Sequence, residues 1–181
     1  VDLLGRVDLH READGTYDFG AQFNGLLYAA LALAGHGDPV PAALVGQIVA
    51  AQNTDGSWDY TGVSKATSDD VDTTALALLA LEAAGRKVGD ATVKKGVTYL
   101  ARRQMPTGAW QAFGSDDPNA TAVAAMALSA LRLDVSTSSW VGGLDVVRPA
   151  VVFSDPYTWL ASQQDAATGR IKSPNDGSGV N

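Results

Sequence analysis

The sequence predicts an all-α fold of paired helices, in which a helix apolar on every face alternates with an amphipathic one. Three observations predict it. First, four turn segments recur: "HREADGTYDF" from His10, "QNTDGSWDY" from Gln52, "QMPTGAWQAF" from Gln104 and "QDAATGRIKS" from Gln164. Their glycines, Gly15, Gly56, Gly108 and Gly169, lie 41, 52 and 61 residues apart. That spacing is close to the period of paired-helix repeats carrying growing insertions. Second, very apolar, alanine-rich segments lie between the turns. Third, no alternating strand pattern of useful length occurs. "VVRPAVVF" is β-like, but Pro149 interrupts it.

Each element follows from its own residues. The chain opens with an amphipathic stretch, Val1 to Arg11, ahead of the first turn. The apolar helices are then Phe23 to Gly35, Thr73 to Gly85 and Ala120 to Arg132. They superpose without gaps, so that Asn24, Thr74 and Thr121 align, as do Leu31, Leu81 and Leu128. Alanine favours helix and permits close packing. Apolar residues on every face predict burial all round. The amphipathic partners are Pro41 to Gln52, Asp90 to Gln104 and Asp155 to Gln164. In the second of these, Val93, Val97 and Leu100 share one face, against Lys94, Lys95, Arg102 and Arg103. Pro41 suits a first helical turn and Gly85 a C-cap. Two concentric rings satisfy this pattern, with the amphipathic helices wrapped outside the apolar ones. The fold class is therefore an α/α toroid, read as one domain spanning residues 1–181. With about three inner and four outer helices, the ring is expected to be incomplete in this chain.

Composition narrows the function. Hydrophobic residues make up 46% of the 181 positions, enough for a sizeable core. A net charge of −7 with no basic run argues against nucleic acid and anionic membrane as partners. The absence of cysteine excludes disulfides, a thiolate nucleophile and cysteine-based zinc sites. No apolar run reaches the length of a membrane span. The chain begins at Val1 without methionine, so an upstream segment is expected to have been removed. Export to the outside or surface of a bacterial cell is the expected location.

The turns carry a resemblance. "QNTDGSW" and "QMPTGAW" resemble the QW repeat, Gln-x₃-Gly-x-Trp, of the terpene-cyclase and prenyltransferase toroids. Gln52, Gly56 and Trp58 match it, as do Gln104, Gly108 and Trp110. The first copy has His10 and Tyr17 in place of Gln and Trp. The fourth spreads Gln164 and Gly169 by one residue and has Ile171 for Trp. A structural role is expected for these residues: glycine for a tight turn, Trp over a helix end, Gln on exposed backbone.

The resemblance also points to one end of the fold. Class II terpene cyclases carry Asp-x-Asp-Asp before Thr-Ala, and the central Asp protonates an alkene or epoxide. Here Asp70-Val71-Asp72-Thr73-Thr74-Ala75 is similar, with Asp72 at the donor position and Thr73 in place of the last Asp. The resemblance thus implies Asp72, supported by Asp70, as the acid if the protein is an enzyme. Cobalamin-binding transport toroids begin inner helices with Val-Asp-Thr, which "VDTTALALLAL" also resembles. The reading from the residues alone is plainer. Asp70 and Asp72 are good helix caps, and so is Asn119, which aligns with Asp72. Asp116 and Asp117 read as a solvated turn.

Inner helices that start at one end gather Asn24, Asp70, Asp72, Thr73 and Asn119 around a single mouth. Tyr28 is one of the few inner-helix aromatics. These six are the candidate ligand-binding residues. Only 7% of the chain is aromatic, which is thin for a lumen that stabilises carbocations. Asp72 with Asp116 or Asp117 could form a glycosidase pair, but sugar-stacking aromatics are scarce. No EF-hand spacing supports calcium, and neither metal nor cofactor is expected. The sequence therefore predicts a module that binds a small molecule (apolar, isoprenoid-like or cobalamin-like) or a partner at this mouth without catalysis. The alternative is a class II cyclase, or a piece of one, acting through Asp72.

Overall fold

The computed structural model describes residues 3–172 and residue 174. The tail "SPNDGSGVN", where a further inner helix was expected to begin, falls almost wholly outside the described residues. The elements run α1 (Leu3–Asp8), α2 (Phe23–His36), α3 (Ala42–Ala50), α4 (Val71–Ala83), α5 (Ala91–Arg103), β1 (Trp110–Ala112), β2 (Ser115–Asp117), α6 (Pro118–Ala130) and α7 (Pro156–Ser162). A short 3₁₀ turn lies at Ser138–Val141. Among the described residues the fold is all-α apart from one small hairpin.

The inner layer is a row of three helices, with α4 packed between α2 and α6. The outer layer leans on it. Helix α3 packs on α2 and α4, α5 on α4, and α7 on α6. The row explains a departure from the sequence reading. Among the described residues only α4 has an inner neighbour on both sides, and it buries Thr74, Ala75, Leu78 and Leu81 completely. Helices α2 and α6 are flanked on one side only among the described residues. Tyr28 on α2 is consequently 61% exposed and Met126 on α6 is 59% exposed. Outer helix α5 behaves as its pattern predicts, with Val93, Val97 and Leu100 buried.

Helix ends differ from the sequence reading by local chemistry. Helix α4 begins at Val71 rather than Thr73, because the Asp70 carboxylate caps it by accepting the Thr73 N–H at 2.8 Å. Helix α6 begins at Pro118 rather than Ala120. Its cap is Asp117, which accepts the Ala120 N–H at 3.0 Å. Asp117 is thus a buried cap, only 2% exposed, and not part of a solvated turn. Pro118 fits the first turn, where its missing N–H has no intrahelical partner to lose. Pro41 stands just before α3 rather than within it. Helix α2 continues past Gly35 to His36 and stops at Gly37, whose φ of 95° terminates it.

The repeated turns join the two layers. The Trp58 N–H donates to the Thr74 hydroxyl on inner helix α4 at 2.9 Å, and its indole N–H donates to the Ile48 carbonyl on outer helix α3 at 2.7 Å. Trp110 repeats both bonds, to Thr121 on α6 at 2.9 Å and to the Leu100 carbonyl on α5 at 2.8 Å. The Gln52 amide holds the Gly56 carbonyl at 3.0 Å and the Thr92 carbonyl at 3.0 Å, stitching the turn to the next outer helix. Gln104 holds the Gly108 carbonyl at 3.2 Å, and Gln164 holds the Gly169 carbonyl at 2.9 Å. The first copy closes differently: the Gln47 side chain exchanges two hydrogen bonds with the Tyr17 backbone, at 2.9 and 2.8 Å.

The long segment between α6 and α7 wraps the third turn. Trp140 packs on Trp110 with ring centroids 6.4 Å apart, and the Arg148 guanidinium lies 3.6 Å from the Phe153 ring centroid. Arg148 also donates to the Gln104 side chain. The β-like stretch around Pro149 forms no strand.

Glycine is required at Gly56 for two reasons. Its φ is +96°, and a Cβ there would sit 2.4 Å from the Lys95 carbonyl oxygen of α5. Gly169 has a φ of +71° but ample room, with its nearest neighbour at 3.7 Å. Gly169→Ala is therefore expected to cost about 1–2 kcal/mol, from the left-handed backbone alone. Gly56→Ala should cost clearly more, because α5 must also move. Urea unfolding of both variants checks the order, and equal costs would contradict the close approach.

Candidate functional site

One large cleft, of about 840 Å³, opens at the end of the molecule where the inner helices start. Three pieces of chain meet there. The first turn of α2 supplies Asn24. The capped start of α4 supplies Asp69 to Thr73. The hairpin ahead of α6 supplies Gln111 to Gly114. The end of α5 adds Arg102, Arg103 and Met105, and the loop after Trp58 adds Asp59 and Tyr60. A separate hollow of about 20 Å³ beside Arg148 has room for little more than one water molecule.

The acidic pair at the start of α4 is divided by its surroundings. Asp70 is fully engaged as the cap. Its carboxylate accepts the Thr73 N–H, the Thr73 hydroxyl at 2.7 Å and the Tyr60 N–H at 3.2 Å. Thr73, which stands where the cyclase motif has an Asp, is buried and holds Asp70 in place. Asp72 does not cap the helix, in contrast to the sequence reading. It lies in the first turn, past the cap, and faces the cleft. Its Oδ1 is buried with no hydrogen-bond partner among the described residues. Loss of solvation, followed by the negative charges of Asp70 and Asp117, pushes its pKa up to about 6.

The other candidates separate. Asn24 lines the cleft, and its Oδ1 is also buried without a donor among the described residues. Asn119 is exposed and is not the cap of α6, because Asp117 fills that place two residues earlier. Neither Asn119 nor Tyr28 belongs to the cleft wall. Asp116 accepts hydrogen bonds from Thr107 at 2.7 Å and Gln111 at 2.9 Å, so it is occupied locally.

Several wall residues escaped the sequence reading. Tyr60 and Phe113 are exposed aromatics, at 67% and 94% exposure. Phe113 has a φ of 51° and Gly114 one of 82°, a tight hairpin turn with left-handed backbone at both centres. The Phe-Gly pair between short polar segments was the available signal. Strands of three residues are too short for alternation to show. Asp59 is ion-paired with Lys65 at 2.6 Å. Arg102 and Arg103 reach this end because the last turn of α5 abuts the start of α4. Their side chains are held by the Asp145 carbonyl at 2.8 Å and the Ser68 carbonyl at 3.2 Å.

Inner helices that start at one mouth, outer helices behind them and glycine turns joined to tryptophans define a terpene-cyclase-like α/α repeat protein. Residues 19–136 match the squalene-hopene cyclase C-terminal domain, and the chain belongs to that family. No match was found among curated proteins. No helix among the described residues is long and apolar enough to cross a membrane.

The two aspartates should respond oppositely to substitution. Asp70→Ala removes a cap and is expected to cost about 0.5–2 kcal/mol. Asp72 binds its proton more tightly folded than unfolded, so it destabilises the fold as pH rises from about 4 through about 6. Asp72→Asn should therefore be more stable than the parent at pH 7–8, by on the order of 1 kcal/mol after allowance for its contact with solvent. The gain should vanish below pH 4. Thermal unfolding of both variants across pH 3–8 is the measurement. A stability gain that is independent of pH would refute the assignment.

Proposed function

We propose that this protein is a non-catalytic binding module of the cyclase family, taking an apolar or isoprenoid-like small molecule in the cleft at the inner-helix starts. The observation that carries this is the state of Asp72. Protonating an alkene demands a strong acid whose conjugate base is stabilised by aimed hydrogen-bond donors. Asp72 has no donor on Oδ1 among the described residues, and its surroundings weaken it as an acid, to a pKa of about 6. At neutral pH such a group is mostly ionised and has no proton to deliver. Thr73, in the place of the motif's remaining carboxylate, donates to Asp70 and not to Asp72.

The wall supports binding. It combines apolar surface from Val71, Met105, Ala112 and Phe113 with polar groups at one end, the usual make-up of a small-molecule site. Export to the bacterial cell exterior belongs to the same reading.

Incubation with squalene and with shorter polyprenyl substrates, for wild type and Asp72→Asn, is the test. No cyclised product from either is expected, by gas chromatography with mass detection. Product formed by the wild type and lost in Asp72→Asn would establish the cyclase reading instead.

A further inference from the structure

The cleft has a polarity that points to a particular head group. Asp72 and Asn24 stand in the first turns of adjacent inner helices, and each brings to the cleft a buried oxygen with no donor among the described residues. Buried acceptors without donors are costly, and a ligand that supplies N–H groups relieves that cost. Two acceptors without donors favour a head group carrying several N–H groups over an alcohol's single hydrogen.

The charge of the wall sharpens the choice. Asp69 and Asp70 lie beside Asp72 in the same wall. Two cations at the end of α5, Arg102 and Arg103, share this wall. Arg102 donates to the Asp145 carbonyl, while Arg103 donates to the Ser68 carbonyl and lies over the Tyr99 ring at 5.4 Å. The exposed rings of Tyr60 and Phe113 also line the cleft. Aromatic faces favour a positive charge, and Phe113 is held out by a hairpin turn. The volume of about 840 Å³ leaves space for far more than a head group.

We propose that the cleft binds an amphiphile with a protonated amine at Asp72 and Asn24 and an apolar chain along the rest of the wall. This rests on the binding reading above and adds the head group to it. An ammonium supplies three donors and a full positive charge, against the ionised Asp72 carboxylate.

Geranylamine, geraniol and geranic acid share one apolar chain and differ only at the head. Each is titrated into the protein at pH 7.5 by isothermal calorimetry. Geranylamine should bind at least tenfold more tightly than geraniol, and geranic acid more weakly than either. In Asp72→Asn the difference between amine and alcohol should disappear. Equal affinity for amine and alcohol in the wild type overturns the head-group assignment and leaves the binding reading standing. An amine preference that survives Asp72→Asn places the head elsewhere and also overturns it. No binding of any of the three overturns both.

Discussion

A tryptophan that bonds both layers at once is the constraint on which the rest of this structure depends. Trp58 and Trp110 each give their backbone N–H to a threonine on an inner helix and their indole N–H to the outer helix before it. Both indoles are completely buried. A buried donor left without its acceptor is penalised, so the two bonds set the height and rotation of one helix against the other. The threonine has its own requirement. The Thr74 and Thr121 hydroxyls donate to the Asp70 and Asp117 carbonyls at 2.8 and 2.7 Å, one turn back. Each clamp therefore ends at the residue that caps the inner helix.

That chain of bonds carries the repeat geometry to the cleft. The cap position, the first turn behind it and the loop after the tryptophan are fixed together, so successive repeats bring equivalent residues to one end. Within that frame, residues two positions past a cap are free of structural duty. Asp72 occupies such a place on α4 and Asn119 on α6. Of these two, Asp72 lies in the cleft wall and Asn119 is exposed to solvent.

The fold was largely legible in the sequence because its signals are repeated and periodic. Turn glycines, aligned apolar helices and the Val93-Val97-Leu100 stripe each follow from local chemistry. What the sequence hid was which of several adjacent carboxylates does what. Asp70 and Asp72 are equally good cappers by type, as are Asp116 and Asp117. Only the register of the helix start, set from outside by the Trp–Thr bonds, distinguishes the one that caps from its neighbour. The cleft wall was hidden for a related reason. Tyr60, Phe113 and Arg103 come from three loops and helix ends brought together by packing, with no pattern linking them along the chain.

The spacing between turn glycines grows from 41 to 52 to 61 residues, yet the clamps at Trp58 and Trp110 are nearly superimposable in their bonding. Length is added where no clamp acts, as in the segment from α6 to α7 that folds over Trp110. The architecture thus separates what holds the layers from what decorates them. Connecting segments are free to lengthen and acquire new contacts, while the cap-to-tryptophan unit is kept from the Trp58 repeat to the Trp110 repeat. A family built this way can diversify its rims without renegotiating its core.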